Sequence, residues 1–369
     1  MTRRLICGVA ALTLLTTLLP VRAQEPSKPL RLAIAGLVHG HVSGFLKSAL
    51  ARQDVQIVGI FEPDPALRKQ YAERYKLDEA ITFGDLGVML EMVKPEAVAS
   101  FTNTKDHAMV VEVAATRRIH VMMEKPLAVS NADAERIKQA AERGGIQVLV
   151  NYETTWYASH GGIWSLVKDK RAAGDIRKMV AMDGHNGPKA INVQPEFLEW
   201  LSDPVRNGGG ALYDFGCYGA NLMTWMMDNQ RPIAVTAVTQ HFQPDVYTKV
   251  DDEATILVEY PKAQGIIQAS WNWPFGRKDF EVYGDHGLAI ATGGNGLRIG
   301  LPKEPEHAVT PDPLPADEKD SISHLMAVVR GRRQPNSLSS LQNNIIVTEI
   351  LEAARESART HARVVLKQK

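Results

Sequence analysis

The sequence predicts an α/β protein in two parts: a doubly wound parallel sheet, followed by an α+β domain built on a mostly antiparallel open sheet. Three observations carry this. From residue 30 to 150, short apolar strands alternate with helices of about 10 to 15 residues, the pattern of a parallel sheet covered on both faces. After residue 150 strands follow one another with polar connections, as in antiparallel sheets. The chain has 369 residues, enough for two domains, with 44% hydrophobic and 23% charged residues, an ordinary globular composition.

Element by element, Leu30–Ala35 is an apolar strand ending in Gly36, and Val42–Arg52 has helical spacing through Phe45, Leu46 and Leu50. Gln56–Phe61 is a second strand with Glu62 at its end, and Pro65–Tyr75 a helix. Strands at 81–83, 97–101, 120–123 and 147–150 continue the series, separated by helices at 86–93, 106–116 and 131–143. This is a Rossmann-type plan for 30–150, whose ligand crevice lies beyond the carboxyl ends of the strands. In 151–369, strands are expected at 178–182, 233–239, 253–260, 265–273 and 280–283, a surface loop at 303–320, and a long helix at 340–360.

Residues 1–23 stand apart. Arg3-Arg4, an apolar run Leu5–Leu19 and Val21-Arg22-Ala23 have the layout of an export signal, and 24–29 form a tether. The run is shorter than the roughly 20 residues a membrane span needs, so the mature protein is expected in the periplasm or outside the cell, with no membrane attachment. Arg3-Arg4 also resembles a twin-arginine signal, the route that carries folded proteins. Forty-two basic and 42 acidic side chains balance, which gives no basic surface for nucleic acid. Cys7 leaves with the signal, so Cys217 has no internal partner.

Four segments carry a family resemblance: Glu124-Lys125-Pro126, Thr102–His107, Gly208–Tyr218 and Val250–Thr255. In this order and spacing the chain resembles the Gfo/Idh/MocA oxidoreductases over nearly all of its mature length. The resemblance implies that Lys125 is catalytic. Tyrosine at 218, where many members have histidine, resembles the glucose-fructose oxidoreductase and dihydrodiol dehydrogenase branch. That makes Tyr218 the proton-transfer candidate and Asp214 a substrate-orienting residue. Independently of the family, a helix following Gly208–Gly210 would set Asp214, Tyr218 and Asn221 on one stripe. An ammonium beside the phenol would favour its phenolate.

The cofactor loop departs from the fingerprint. In G-x-G-x-x-G the later glycines let backbone approach the pyrophosphate. Here Gly36-Leu37-Val38-His39-Gly40-His41 keeps only the first. His39 and His41 are candidate donors replacing that contact; as a metal pair they lack a third ligand, and no metal is expected. Glu62 stands where the family binds the ribose diol, favouring NAD over NADP. The resemblance further places Thr102, Asn103, His107 and Glu124 along the cofactor. Trp156, Tyr157, His160, His185, Trp271 and Trp273 suit a sugar or polyol substrate, Asp183 is a further pocket candidate from a strand end and Asn221 one from the helix stripe, with a homo-oligomer expected through the second sheet. Three functions are compatible: an NAD-dependent oxidoreductase on a sugar, cyclitol or polyol; a lyase or glycosidase using transient oxidation; and a ligand-binding protein of the same fold.

Overall fold

The computed structural model describes residues 28–368; the expected export signal and all of the tether up to residue 27 lie outside the described residues. The first sheet alternates β1 (Leu30–Ala35), α1 (Val42–Leu50), β2 (Val55–Phe61), α2 (Pro65–Tyr75), β3 (Thr82–Phe83), α3 (Leu86–Val93), β4 (Ala97–Ser100), α4 (His107–Ala115), β5 (His120–Glu124), α5 (Asn131–Gly144) and β6 (Val148–Asn151). Its order is β3-β2-β1-β4-β5-β6, and every pair is parallel. Strand alternation decides which side chain meets which layer. Leu30, Leu32 and Ile34 of β1 pack with Val42, Phe45 and Leu46 of α1. Ala33 and Ala35 turn to the opposite layer, with Leu90 of α3 and Val110 of α4. Local capping fixes the helix starts. Asp64 accepts from Ala66 N ahead of Pro65 in the first turn, and Ser130 accepts from Asp133 N.

The chain continues through α6 (Ala158–Trp164), β7 (Ile176–Gly184), α7 (Pro195–Leu201), α8 (Pro204–Asn207), α9 (Ala211–Asp214) and α10 (Gly216–Met226). Then follow β8 (Ala234–Gln240), β9 (Glu253–Glu259), β10 (Gln264–Ser270), β11 (Arg277–Gly284), β12 (Leu288–Thr292), β13 (Gly296–Gly300), β14 (His307–Ala308), α11 (Ser321–Val329), α12 (Leu341–Thr360) and β15 (Val364–Val365). The second sheet runs β14-β13-β12-β11-β7-β10-β9-β8-β15. Among the described residues its one parallel pair is β7 with β10; the others are antiparallel.

Several elements add to the expected set, among them the β12–β13 hairpin and α11. The β12–β13 hairpin turns on Gly293 and Gly294, where glycines weaken a strand pattern read from sequence. α11 belongs to the later part of the chain yet packs on the first sheet: Ile322, Leu325 and Met326 join the cluster of Leu30, Leu46 and Phe45. The division at residue 150 is therefore crossed by a returning helix.

Candidate active site

Lys125 follows β5, in a cis peptide to Pro126, at the carboxyl end of the sheet. His107 props this turn from below. Its Nδ1 lies 3.1 Å from Pro126 O and 3.2 Å from Leu127 O, and burial lowers its pKa, so a neutral imidazole donates to those carbonyls. His107 thus positions the turn through Nδ1; its ring is buried, and its Nε2 has no protein partner.

The Lys125 ammonium reaches α9. It forms a short ion pair with the Asp214 carboxylate and donates to Asp214 O at 3.1 Å. Trp271 Nε1 takes the other carboxylate oxygen at 2.9 Å. Burial alone would lower Lys125, but the charge and hydrogen bond of Asp214 together with Cys217 and Glu124 outweigh it and hold the ammonium above its ordinary value. Burial would raise Asp214, and Lys125 reverses that too. Each Asp214 oxygen thus has one protein donor, and the carboxylate positions Lys125.

Tyr218 is 2% exposed, with Lys125 Nζ 5.0 Å and Lys278 Nζ 4.5 Å from its ring centroid. These ammoniums sit over the ring, where they engage its π face. The hydroxyl's pKa is pushed well up, first by burial and then by Cys217, Glu153 and Asp214. The expectation of a Lys125-favoured phenolate is therefore corrected: burial outweighs the pull of the neighbouring ammonium, and Tyr218 rests as a neutral phenol.

One contributor, Lys278, escaped sequence reading. Lys278 of β11 forms a short ion pair with Glu153 and stands opposite Asp183 of β7 in the sheet register. Asp183 is fully buried with no hydrogen-bond partner for either oxygen, and burial pushes its pKa well up. His185 joins the same region: its Nδ1 accepts from Gly187 N at 2.9 Å, and its ring meets Phe215 edge-on at 4.8 Å. Cys217 is buried, its thiol pushed up to about 12 by burial, which leaves it unreactive.

Other candidates fall away from the site. α9 and α10 break at Phe215, so the expected single stripe does not form. Asn221 is buried and donates to Leu338 O at 2.8 Å, tying α10 to the loop before α12. His160 is buried; its Nδ1 contacts Thr154 O at 2.8 Å, and burial brings its pKa down to about 4. Each is held through one nitrogen, while His160 Nε2 and Asn221 Oδ1 are buried without a protein partner. Asp251 accepts from the backbone of Gly210 and Leu212 and is structural. Trp156 donates to Asn151 Oδ1 at 3.0 Å and walls a cavity of about 750 Å³ with His41, Phe45, Glu124, Asn151 and Glu153.

The glycine loop shows which departures matter. Gly36 has φ +84°, and a Cβ there would lie 2.7 Å from the Thr102 side chain, so only glycine lets the β1–α1 turn pass β4. Glu62 accepts from Leu37 N at 2.8 Å and Asp64 N at 3.1 Å; burial raises its pKa. Asn103 spends its side chain on capping, bonding Asp106 through both amide atoms, so its expected cofactor contact is corrected. Thr102 donates to Asn103 O at 3.1 Å.

α7 lies directly on the loop. A Cβ at Gly40 would be 2.8 Å from Phe197 Cδ1, and Trp200 Nε1 donates to Val38 O at 3.1 Å. His39, 2% exposed, has ring centroids of Phe197 at 4.8 Å and Trp200 at 5.5 Å. Buried so, it is no phosphate donor, which corrects that expectation for His39. His41 is 46% exposed, with Nδ1 3.0 Å from Glu124 Oε2. The other Glu124 oxygen accepts from Asn151 Nδ2 at 2.8 Å. Burial pushes Glu124 upward, but His41, His39 and Asn151 together hold it down at about 2. The turn at Gly36, the start of α1 and the Glu62 carboxylate fit a dinucleotide; Phe197 and Trp200 cover the phosphate stretch, so occupancy there requires α7 to shift.

This geometry defines a class: a two-domain, Rossmann-type oxidoreductase with a lysine-centred site between its sheets. Residues 30–152 match the oxidoreductase family model with an NAD-binding Rossmann fold, and 166–290 match the Gfo/Idh/MocA C-terminal domain. The chain belongs to the Gfo/Idh/MocA family, and its N-terminal domain is an NAD-binding Rossmann domain. It is 24% identical over 237 residues to a pig trans-1,2-dihydrobenzene-1,2-diol dehydrogenase, a match covering 64% of this chain and 65% of that enzyme. The chain thus spans just under two thirds of that relative's length. A Caulobacter crescentus aldose-aldose oxidoreductase complexed with glycerol superposes with TM-score 0.76, at 23% identity, over 92% of this chain and 100% of the other. An inositol dehydrogenase homologue with NAD+ from Azotobacter vinelandii gives 0.78, at 19% identity, over 93% and 99%. No helix among the described residues is long and apolar enough to cross a membrane.

Proposed function

We propose that this chain is an exported NAD-dependent oxidoreductase that interconverts a secondary alcohol and ketone of a sugar, cyclitol or related polyol. The observation that carries this is the buried Lys125–Asp214 pair, fixed by Trp271, beside the neutral Tyr218 phenol. NAD, when bound, supplies hydride exchange; Glu62, the Gly36 turn and the start of α1 would hold it. Lys125 donates to the substrate oxygen and lowers the cost of charge developing there. Tyr218 gives its proton to that oxygen as a ketone is reduced. The reverse direction returns the proton to Tyr218 from the alcohol. A substrate diol would meet Glu153, His185 and Trp156.

The residue pattern of 1–23 supports export, and the covered glycine loop supports a cofactor retained through many turnovers. Retention also favours a second reading, a lyase or glycosidase that oxidises its substrate transiently. Val238, Leu257 and Ile266 share the more open face of the second sheet, supporting a homo-oligomer across it.

The test is single-turnover change of the reduced-nicotinamide absorbance in purified protein, against a panel of sugars and cyclitols. Tyr218→Phe keeps the ring and removes the proton, and should slow that change by about 100-fold or more while NAD content stays constant. A variant as fast as the parent would overturn the assignment of Tyr218. Accumulation of an eliminated or hydrolysed product without net cofactor change would select the second reading.

A further inference from the structure

His39 and His41 flank Gly40 at the start of α1, while Glu124 lies 83 residues later at the end of β5. The sequence therefore offers two ligands, and the fold adds a third. One ligand atom from each residue lies within 4.8 Å of the other two. His41 Nδ1 and Glu124 Oε2 stand 3.0 Å apart. Ligand atoms arranged tetrahedrally around an ion with bonds of about 2.1 Å are separated by about 3.4 Å, so this hydrogen-bonded edge need open by only a few tenths of an ångström to take an ion in place of the shared proton. Asn151 fixes the second Glu124 oxygen at 2.8 Å, the kind of supporting contact that orients a ligating carboxylate.

We propose that His39, His41 and Glu124 form a binding site for a divalent first-row transition ion, open toward the cavity walled by Asn151, Glu153 and Trp156. Two imidazoles and one carboxylate suit zinc, cobalt or ferrous iron better than magnesium or calcium, which prefer all-oxygen shells. Three protein ligands leave coordination positions for water or a hydroxylated ligand. The other adjustment falls at His39, whose Nδ1 accepts from the His41 amide at 3.2 Å; ligation exchanges that long bond for the ion. Nearby ammoniums do not forbid the charge, since Lys125 is paired with Asp214 and Lys278 with Glu153.

The experiment uses the mature chain stripped with a chelator and titrated with cobalt(II), read by the visible d–d bands, with zinc(II) calorimetry alongside. About one equivalent should bind, with the spectrum of a mixed nitrogen and oxygen shell. Losing a supporting contact costs about 10–100-fold in metal affinity, so losing a ligand should cost at least about 100-fold. His41→Ala removes a half-exposed side chain, and Glu124→Gln is isosteric; circular dichroism checks that both fold. Failure of the parent to bind cobalt(II) stoichiometrically overturns the site, as does unchanged affinity in both variants. If the parent binds no cobalt(II) and His41→Ala instead loses NAD, His41 serves the dinucleotide and the metal site is wrong.

Discussion

Lys125 shows how one side chain's role is set by partners far along the chain. The ammonium is legible from Glu-Lys-Pro at a strand end, and Asp214 from the glycine-rich segment before it. Their relation was not legible, because Trp271 reaches Asp214 across 57 residues and no local spacing encodes that contact. The same limit applied to Tyr218: a neighbouring cation is foreseeable, but its position over the ring is a tertiary fact. A consequence follows for Asp214→Asn. It leaves a buried ammonium without its counter-charge, which costs about 3–5 kcal/mol when one partner of a buried pair is removed. Because Asp214 touches Lys125 and Trp271, the variant should lose kcat along with stability. Urea unfolding and steady-state kinetics check both; a raised KM with unchanged kcat would restore Asp214 as a substrate contact.

At the scale of elements, the parallel sheet was readable because each strand is a short apolar run between amphipathic helices, and its order follows from the Rossmann plan. The placement of α7 was not. Trp200 bonds Val38 across 162 residues, and nothing in the Pro195–Leu201 pattern says which surface it will cover. The result is a glycine loop closed by aromatic rings where an open cradle was expected. Retention of NAD should then depend on how readily α7 lifts. Trp200→Phe keeps a ring against His39 and removes the bond to Val38 O. A neutral hydrogen bond contributes about 1 kcal/mol net, so opening should be favoured by about fivefold. The half-life of bound NAD during gel filtration or dilution measures this. An unchanged half-life would show that α7 does not limit release.

The whole molecule is joined by α11, which returns from the second half of the chain to the face of the first sheet formed by Leu30, Leu46 and Phe45. His324 sits within this helix, its Nε2 accepting from Asn336 N at 2.9 Å and its ring 5.6 Å from Trp156. Burial brings His324 down to about 4, as it does His160 on α6. Both are neutral in the fold, whereas an unfolded histidine titrates near about 6.5. Below that value the unfolded chain binds more protons, so stability falls with pH; the loss levels off once pH passes the folded value near 4. A shift of this size corresponds to about 3 kcal/mol for the deeply buried His160. His39 and His107 are displaced in the same direction and add to the slope. The carboxylates of Glu124 and Asp214 are held low, so their contributions are lost at still lower pH. Asp183, Glu62 and Asp251, whose carboxyl pKa values burial raises, gain stability as pH falls and oppose this slope. The test therefore compares variants: between pH 7 and pH 4.5 the urea midpoint should fall less in His160→Gln than in the parent. A variant whose midpoint changes with pH just as the parent's does would mean that the His160 imidazole is hydrated in solution and that the core around α6 is looser than its packing.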